Sequence, residues 1–205
     1  MSKVLVPFYS SYGHIHEMAK AVAKGAEETG AEVRVVRIPE SQMAKEGMST
    51  QEAYVEAQNK QADIPEATTD DLVWADGVVW GIPTRFGNMP AQVKQFMDAA
   101  GGLWANGSLE GKVAGIFTST NTAHGGQETT IITSVVPLLH FGFIFVGLPY
   151  GENPEMTERD FVGGTPYGAS TLAGPDGTRM PSEGELTMGG RLGARVAKVA
   201  EKLSN

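Results

Sequence analysis

Two kinds of pattern alternate along this chain. Short continuous apolar runs mark strands buried on both faces; longer stretches with apolar residues three and four apart mark helices with one buried face. Residues 3–9 (KVLVPFY) form the first run, and Ile15, Met18, Ala19, Val22, Ala23 and Ala26 then share a helical face. Residues 32–38 (EVRVVRI), 76–82 (DGVVWGI), 112–120 (KVAGIFTST) and 143–150 (FIFVGLPY) supply the other strands. Between them lie a short helix capped around Thr69 and Asp70, and a helix with Pro90 in its first turn and glycines at its end. A helix over 126–142 contains Pro137, which lacks an N–H and should kink or interrupt the last turns. A final helix is expected over 183–203.

Strands alternating with helices imply a parallel sheet with right-handed crossovers and helices on both faces. The expected fold class is α/β: a flavodoxin-like, doubly wound, five-stranded parallel sheet within one domain, 1–205. Ligands of such sheets sit at the carboxyl ends of the strands, beside the first strand. Two segments exceed what the fold needs. Residues 41–65 are polar and read as an exposed helix or a mobile excursion. Residues 151–182, rich in glycine and proline, read as an ordered excursion over the strand ends or a subunit contact, with Phe161, Tyr167 and Leu172 as anchors.

Composition narrows the chemistry. The 205 residues, 41% apolar and 20% charged, suit a soluble domain with a core on each face of a sheet. No run is long enough to span a membrane and the chain opens directly on a strand, so the cytoplasm is the default location. The absence of cysteine excludes disulfides, iron–sulfur ligation and thiolate chemistry. A net charge of −8 with no Lys/Arg cluster argues against a nucleic-acid partner. A small phosphate ester can still be held by local backbone dipoles.

Three loops follow strand ends on the same side of the sheet. In the first, Ser10, Ser11, Tyr12, Gly13 and His14 precede the helix that contains Ile15. Unpaired N–H groups at a helix start attract a phosphate, and hydroxyls add donors. The loop has no lysine and matches neither the nucleoside-triphosphate nor the dinucleotide glycine pattern. Alone it fits a monophosphate cradle or a serine-rich helix start equally. The second, GIPTRFGNMP, holds Pro83, Thr84, Arg85, Phe86, Gly87 and Asn88. Its backbone can meet the polar edge of a flat ring beside the Arg85 charge, and Asn88 can cap the next helix or reach a ligand. The third holds Ser119, Thr120, Asn121, Thr122, Ala123, His124 and Gly125, small residues that leave room for a planar group. The histidine pair His14 and His16 does not share a helical face, so no metal is assigned.

The stretches YSSYGHIHEMA, PTRFGNMPAQVKQFMDAAGGLWANGSLEGK, STNTAHGGQETTI and GGTPYGAST resemble the Trp repressor-binding protein (WrbA) family of flavodoxin-like NAD(P)H:quinone oxidoreductases. The resemblance covers essentially the whole chain. It implies bound FMN, NADH or NADPH as co-substrate, two-electron reduction of quinones to hydroquinones, and a homotetramer. It places the FMN phosphate on Ser10 through Ile15 and gives Tyr12 a contact with the nicotinamide nucleotide. Residues 83–88 become the isoalloxazine loop, with Thr84, Arg85 and Phe86 at its centre, and 119–125 a second flavin loop. His140 matches the family histidine near the flavin and takes the catalytic position, and Trp104 borders the substrate space.

The implied order is ping-pong: nicotinamide hydride passes to flavin N5, the nucleotide leaves, and quinone collects the reducing equivalents at the same face. Two other classes stay open on the residues alone, a flavodoxin-type electron carrier and a non-enzymatic regulatory module that binds another protein.

Overall fold

The computed structural model describes residues 1–158 and 163–204. Strand β1 (Lys3–Phe8) leads into helix α1 (His14–Glu27), and β2 (Glu32–Arg37) follows. Helices α2 (Gln42–Met48), α3 (Glu52–Lys60) and α4 (Thr69–Trp74) precede β3 (Gly77–Pro83). Then come α5 (Ala91–Ala99), α6 (Gly101–Ala105), β4 (Val113–Thr120), α7 (Gln127–His140), β5 (Ile144–Phe145), β6 (Ala169–Leu172) and α8 (Glu183–Leu203). The strands pair in parallel in the order β2-β1-β3-β4-β5, with β6 also on β4. This is the expected α/β doubly wound sheet.

Alternation within each apolar run divides the interior in two. Leu5, Val78, Trp80, Ile82, Ala114 and Ile116 face one way and pack with Leu72, Val93, Phe96, Ile131 and Leu138 from α4, α5 and α7. Val4, Val6, Phe8, Val79, Val113 and Phe117 face the other way, onto α1 and α8.

The fifth strand departs from expectation. Only Ile144–Phe145 of the expected 143–150 run pairs with β4, beside Val113 and Ala114. Pro149 and Pro154 have no N–H to continue a ladder, and the chain leaves the sheet. It returns as β6 along the same side of β4, opposite Phe117–Thr120. The excursion thus interrupts the fifth strand instead of following it. Leu172 ends β6, Tyr167 sits in the turn before it, and Phe161 lies outside the described residues.

Three further expectations need adjusting. The short helix is capped one residue earlier, by a box in which Thr68 and Asp71 bond reciprocally. Pro90 is the N-cap of α5, and the glycines after it do not end helical structure, because α6 starts at Gly101. Helix α7 runs through Pro137 to His140, its last turn anchored by fully buried Leu138. Residues 41–65, expected to hold one exposed helix or a mobile excursion, form α2 and α3, and α3 packs over the first loop.

Candidate active site

The loops after β1, β3 and β4 meet in a cleft of ≈ 630 Å³ at the carboxyl ends of those strands. Gly13 is the N-cap of α1 with φ 95°, a conformation that costs glycine nothing. The N–H groups of the first helical turn have no intrahelical acceptor and border the cleft through His14, Ile15 and His16. Ser10 Oγ accepts from Gly13 N–H at 3.1 Å, which leaves its own proton to donate. Ile15 is buried in the core, so the cleft meets it through its backbone.

Residues 85–88 form a tight two-residue hairpin. Arg85 N–H donates to Asn88 O at 2.7 Å and Asn88 N–H returns the bond at 3.1 Å. Phe86 (φ 56°) and Gly87 (φ 78°) both sit in the left-handed region, as a type I′ turn requires. For a bulky residue that conformation is strained, and Phe86 is fully exposed at 106%. Thr84 Oγ1 fixes the turn by accepting from Gly87 N–H at 3.1 Å and from Thr130 Oγ1 at 2.7 Å. Asn88 Oδ1 accepts from Met89 N–H, ahead of the helix start. Pro83, Thr84 and Arg85 line the cleft, and Arg85 Nη2 donates to Ser11 Oγ at 2.9 Å.

From the third loop, Ser119 and Asn121 line the cleft. Thr120 is the buried end of β4 and donates to Thr122 O at 2.9 Å. Thr122, Ala123 and His124 are exposed, Gly125 is half-buried, and none of the four lines the cleft.

Two further walls close the cleft; the first was not anticipated, and the second belongs to the excursion expected over the strand ends or at a subunit contact. Ala53, Glu56, Ala57 and Lys60 of α3 form the first. Their spacing of three, one and three residues puts them on a single helical face, a signal present in the sequence. The other is residues 175–178 with Met180. Glu185, 2% exposed, pins that segment: it accepts from Thr171 Oγ1 at 3.0 Å, Leu172 N–H at 3.2 Å and Ser182 N–H at 2.7 Å, and pairs with Arg179 at 3.0 Å.

Trp104 and His140 lie elsewhere. They line a second groove of ≈ 640 Å³ between α5, α6 and α7, together with Asn88 and Phe141. Trp104 is 59% exposed. The structure brings these two residues to each other, and does not bring them into the first cleft of their own chain.

His14 is buried in the cleft wall and its Nε2 makes no hydrogen bond. Burial lowers its pKa below 6.5; the nearby Arg179 and Gly177 carbonyls oppose the shift, the Arg179 charge reinforces it, and Glu185 opposes it. His16, stacked on Phe8, is lowered for the same first reason, with Lys20 adding and Glu17 opposing. The unfolded chain therefore binds protons that the folded chain refuses. Stability should fall as the pH drops below 6.5, until the lowered folded pKa values are passed. Urea midpoints between pH 7.5 and 5 check this, and His14→Asn should flatten the slope; an unchanged slope would remove His14 as its source.

Residues 8–148 match the family described as NADPH-dependent FMN reductase. The chain belongs to this family. An NAD(P)H dehydrogenase (quinone) of Geotalea uraniireducens is 50% identical over 203 residues, covering 98% of this chain and 99% of the relative. One from Caulobacter vibrioides is 50% identical over 206 residues, covering 99% of each. The crystal structure of a WrbA-like flavodoxin from Agrobacterium tumefaciens matches with a TM-score of 0.68 at 26% identity, over 98% of this chain and 99% of that one. A flavodoxin from the domain Archaea shares the fold, with a TM-score of 0.60 at 18% identity over 97% and 99% of the two chains. As a member of the FMN reductase family, the chain presents at its strand ends the three loops that carried the resemblance.

Proposed function

We propose that this chain is an FMN-dependent NAD(P)H:quinone oxidoreductase that reduces quinones to hydroquinones with NADH or NADPH as donor. One observation carries the reading: the strand-end cleft of an FMN reductase family member presents a helix start, the unspent Ser10 hydroxyl proton and an arginine to one space. FMN fits these residues. The orphaned His14 Nε2 and the unpaired first-turn N–H groups suit a phosphate, and the Thr84–Arg85 backbone beside a fixed cation suits the polar edge of a flat ring.

In this reading Ser10, Ser11, Tyr12, Gly13, His14 and Ile15 hold the phosphate, and residues 83–88 with Ser119 and Asn121 hold the ring. Bound FMN supplies the hydride chemistry. Arg85 and the backbone donors orient the ring and favour negative charge on it. Tyr12, whose hydroxyl donates to Gln51 Oε1 at 2.7 Å, stands at the cleft mouth where a nicotinamide nucleotide would enter. The proposal includes a ping-pong order, a cytoplasmic location and a homotetramer in which Trp104 and His140 of one protomer complete a neighbour's substrate space, since they stand outside their own cleft.

The test is an anaerobic addition of NADH or NADPH to FMN-loaded protein, followed by benzoquinone. Bleaching of the flavin absorption and full recovery on quinone are expected. No bleaching with either nucleotide would overturn the enzyme reading in favour of a carrier or a regulatory protein. Parallel double-reciprocal lines are expected, and intersecting lines would remove the ping-pong order. Trp104→Ala should lower kcat/KM for quinone about tenfold while the Kd for FMN moves less than about twofold. Equal losses in both would deny Trp104 a substrate role.

A further inference from the structure

The carboxylate of Glu40, just past β2, gathers donors from several elements. Tyr9 Oη donates to its Oε2 at 2.6 Å and Tyr54 Oη of α3 to the same oxygen at 3.3 Å, while Oε1 accepts from Ser41 N–H at 2.9 Å and from Gln92 Nε2 of α5. Tyr9 Oη itself accepts from Ser11 Oγ at 3.2 Å, and Ser11 Oγ accepts from Arg85 Nη2 at 2.9 Å. The ends fix the direction of this row. A guanidinium can only donate and a carboxylate can only accept, so both hydroxyls between them donate toward Glu40. Burial and the Glu40 bond hold the Tyr9 hydroxyl far above its ordinary pKa, and burial with the Glu40 charge pushes Tyr54 up to about 12. Both remain donors at neutral pH.

We propose that Glu40 is a positioning residue for Arg85: through Tyr9 and Ser11 it holds the guanidinium at the cleft wall before any ligand arrives. In consequence it raises the affinity for a flavin nucleotide. That consequence rests on the FMN reading; the link from Glu40 to Arg85 does not. A long side chain already held in place loses less freedom on binding than a free one, so the gain appears as affinity. Glutamine at 40 weakens the row, because it removes the charge to which Tyr9 donates and its amide N–H₂ must face either the two tyrosine hydroxyls or the Ser41 and Gln92 donors.

Two readouts separate the parts. In flavin-free protein labelled with ¹⁵N, the Arg85 Nη2–H signals should be resolved in the wild type and averaged by rotation in Glu40→Gln and in Tyr9→Phe, while Nη1, which donates to Thr84 O at 2.9 Å outside the row, keeps its bond in all three. Resolved Nη2–H signals in both variants would overturn the proposal. By fluorescence titration, Glu40→Gln should weaken FMN binding about tenfold in the wild-type background and less than about twofold in an Arg85→Ala background. Equal weakening in both backgrounds would make Glu40 a general structural residue and overturn its action through Arg85. If Glu40→Gln fails to fold, Tyr9→Phe carries both measurements, since it cuts the row and leaves Glu40 its other partners. Wild-type protein that takes up no FMN would sink the functional reading, and the guanidinium signals would still decide the link.

Discussion

Glu185→Ala should lower the unfolding free energy by about 3 kcal/mol, the scale for leaving several buried donors without their acceptor. For a chain of this size that is a fall in Tm of roughly 6–12 °C. Arg179 is 31% exposed and can turn to water, so the lost ion pair is a minor part of the cost. The larger part comes from Thr171 Oγ1 and the N–H groups of Leu172 and Ser182, which lose their acceptor in a dry interior. Because Glu185 also pins residues 175–178, a wall of the cleft, FMN binding should weaken by about tenfold or more. Thermal denaturation and FMN titration of the same preparation check both effects. A Tm shift under about 2 °C would show that water replaces the carboxylate freely.

The second large effect is expected where α1 crosses α8. A Cβ on Gly25 would fall on the Gly190 carbonyl, and one on Gly193 would fall on the Val22 carbonyl. These are backbone atoms, so the helices themselves must separate. Gly25→Ala should therefore cost about 3 kcal/mol, at the upper end for overpacking, despite alanine's better helix propensity of about 1 kcal/mol. Gly47 in α2 is the comparison, because its Cβ would meet open space. Gly47→Ala should gain several tenths to about 1 kcal/mol. Urea midpoints of the two variants should move in opposite directions; a gain in both would show that α1 and α8 can part at little cost.

Much of this was legible in the order of residues. Four of the five expected strands stand where their apolar runs lie: β1, β3 and β4 because a strand buried on both faces needs no partner information to be recognised, and β2 because its valines recur between exposed polar residues at the sheet margin. The family resemblance, carried by the three loops, agrees with the family match and the quinone-dehydrogenase relatives. The fifth strand was misread because GLPY continues the apolar run, while Pro149 and the later return at Ala169 decide where pairing stops. The α3 wall was readable in the spacing of Ala53, Glu56, Ala57 and Lys60, but its polar composition suggested solvent. Nothing local could reveal Glu40: its partners lie at positions 9, 41, 54 and 92, and only the fold brings them together. Trp104 and His140 were joined to the cleft by resemblance alone, and the structure places them together in a second groove.

The interrupted fifth strand has a bearing on solubility. An outer strand with a long row of free N–H and C=O groups is a template on which another molecule's strand can grow. Here the margin beyond β4 is divided between two residues of β5 and four of β6, with the chain leaving the sheet between them. At the opposite margin, Arg37 at the end of β2 exchanges backbone bonds with Pro65 and Ala67, so that position is already taken. Among the described residues the margin beyond β4 offers no long, regular ladder to an incoming strand, so the detour that interrupts the fifth strand also guards that side against fibrillar association.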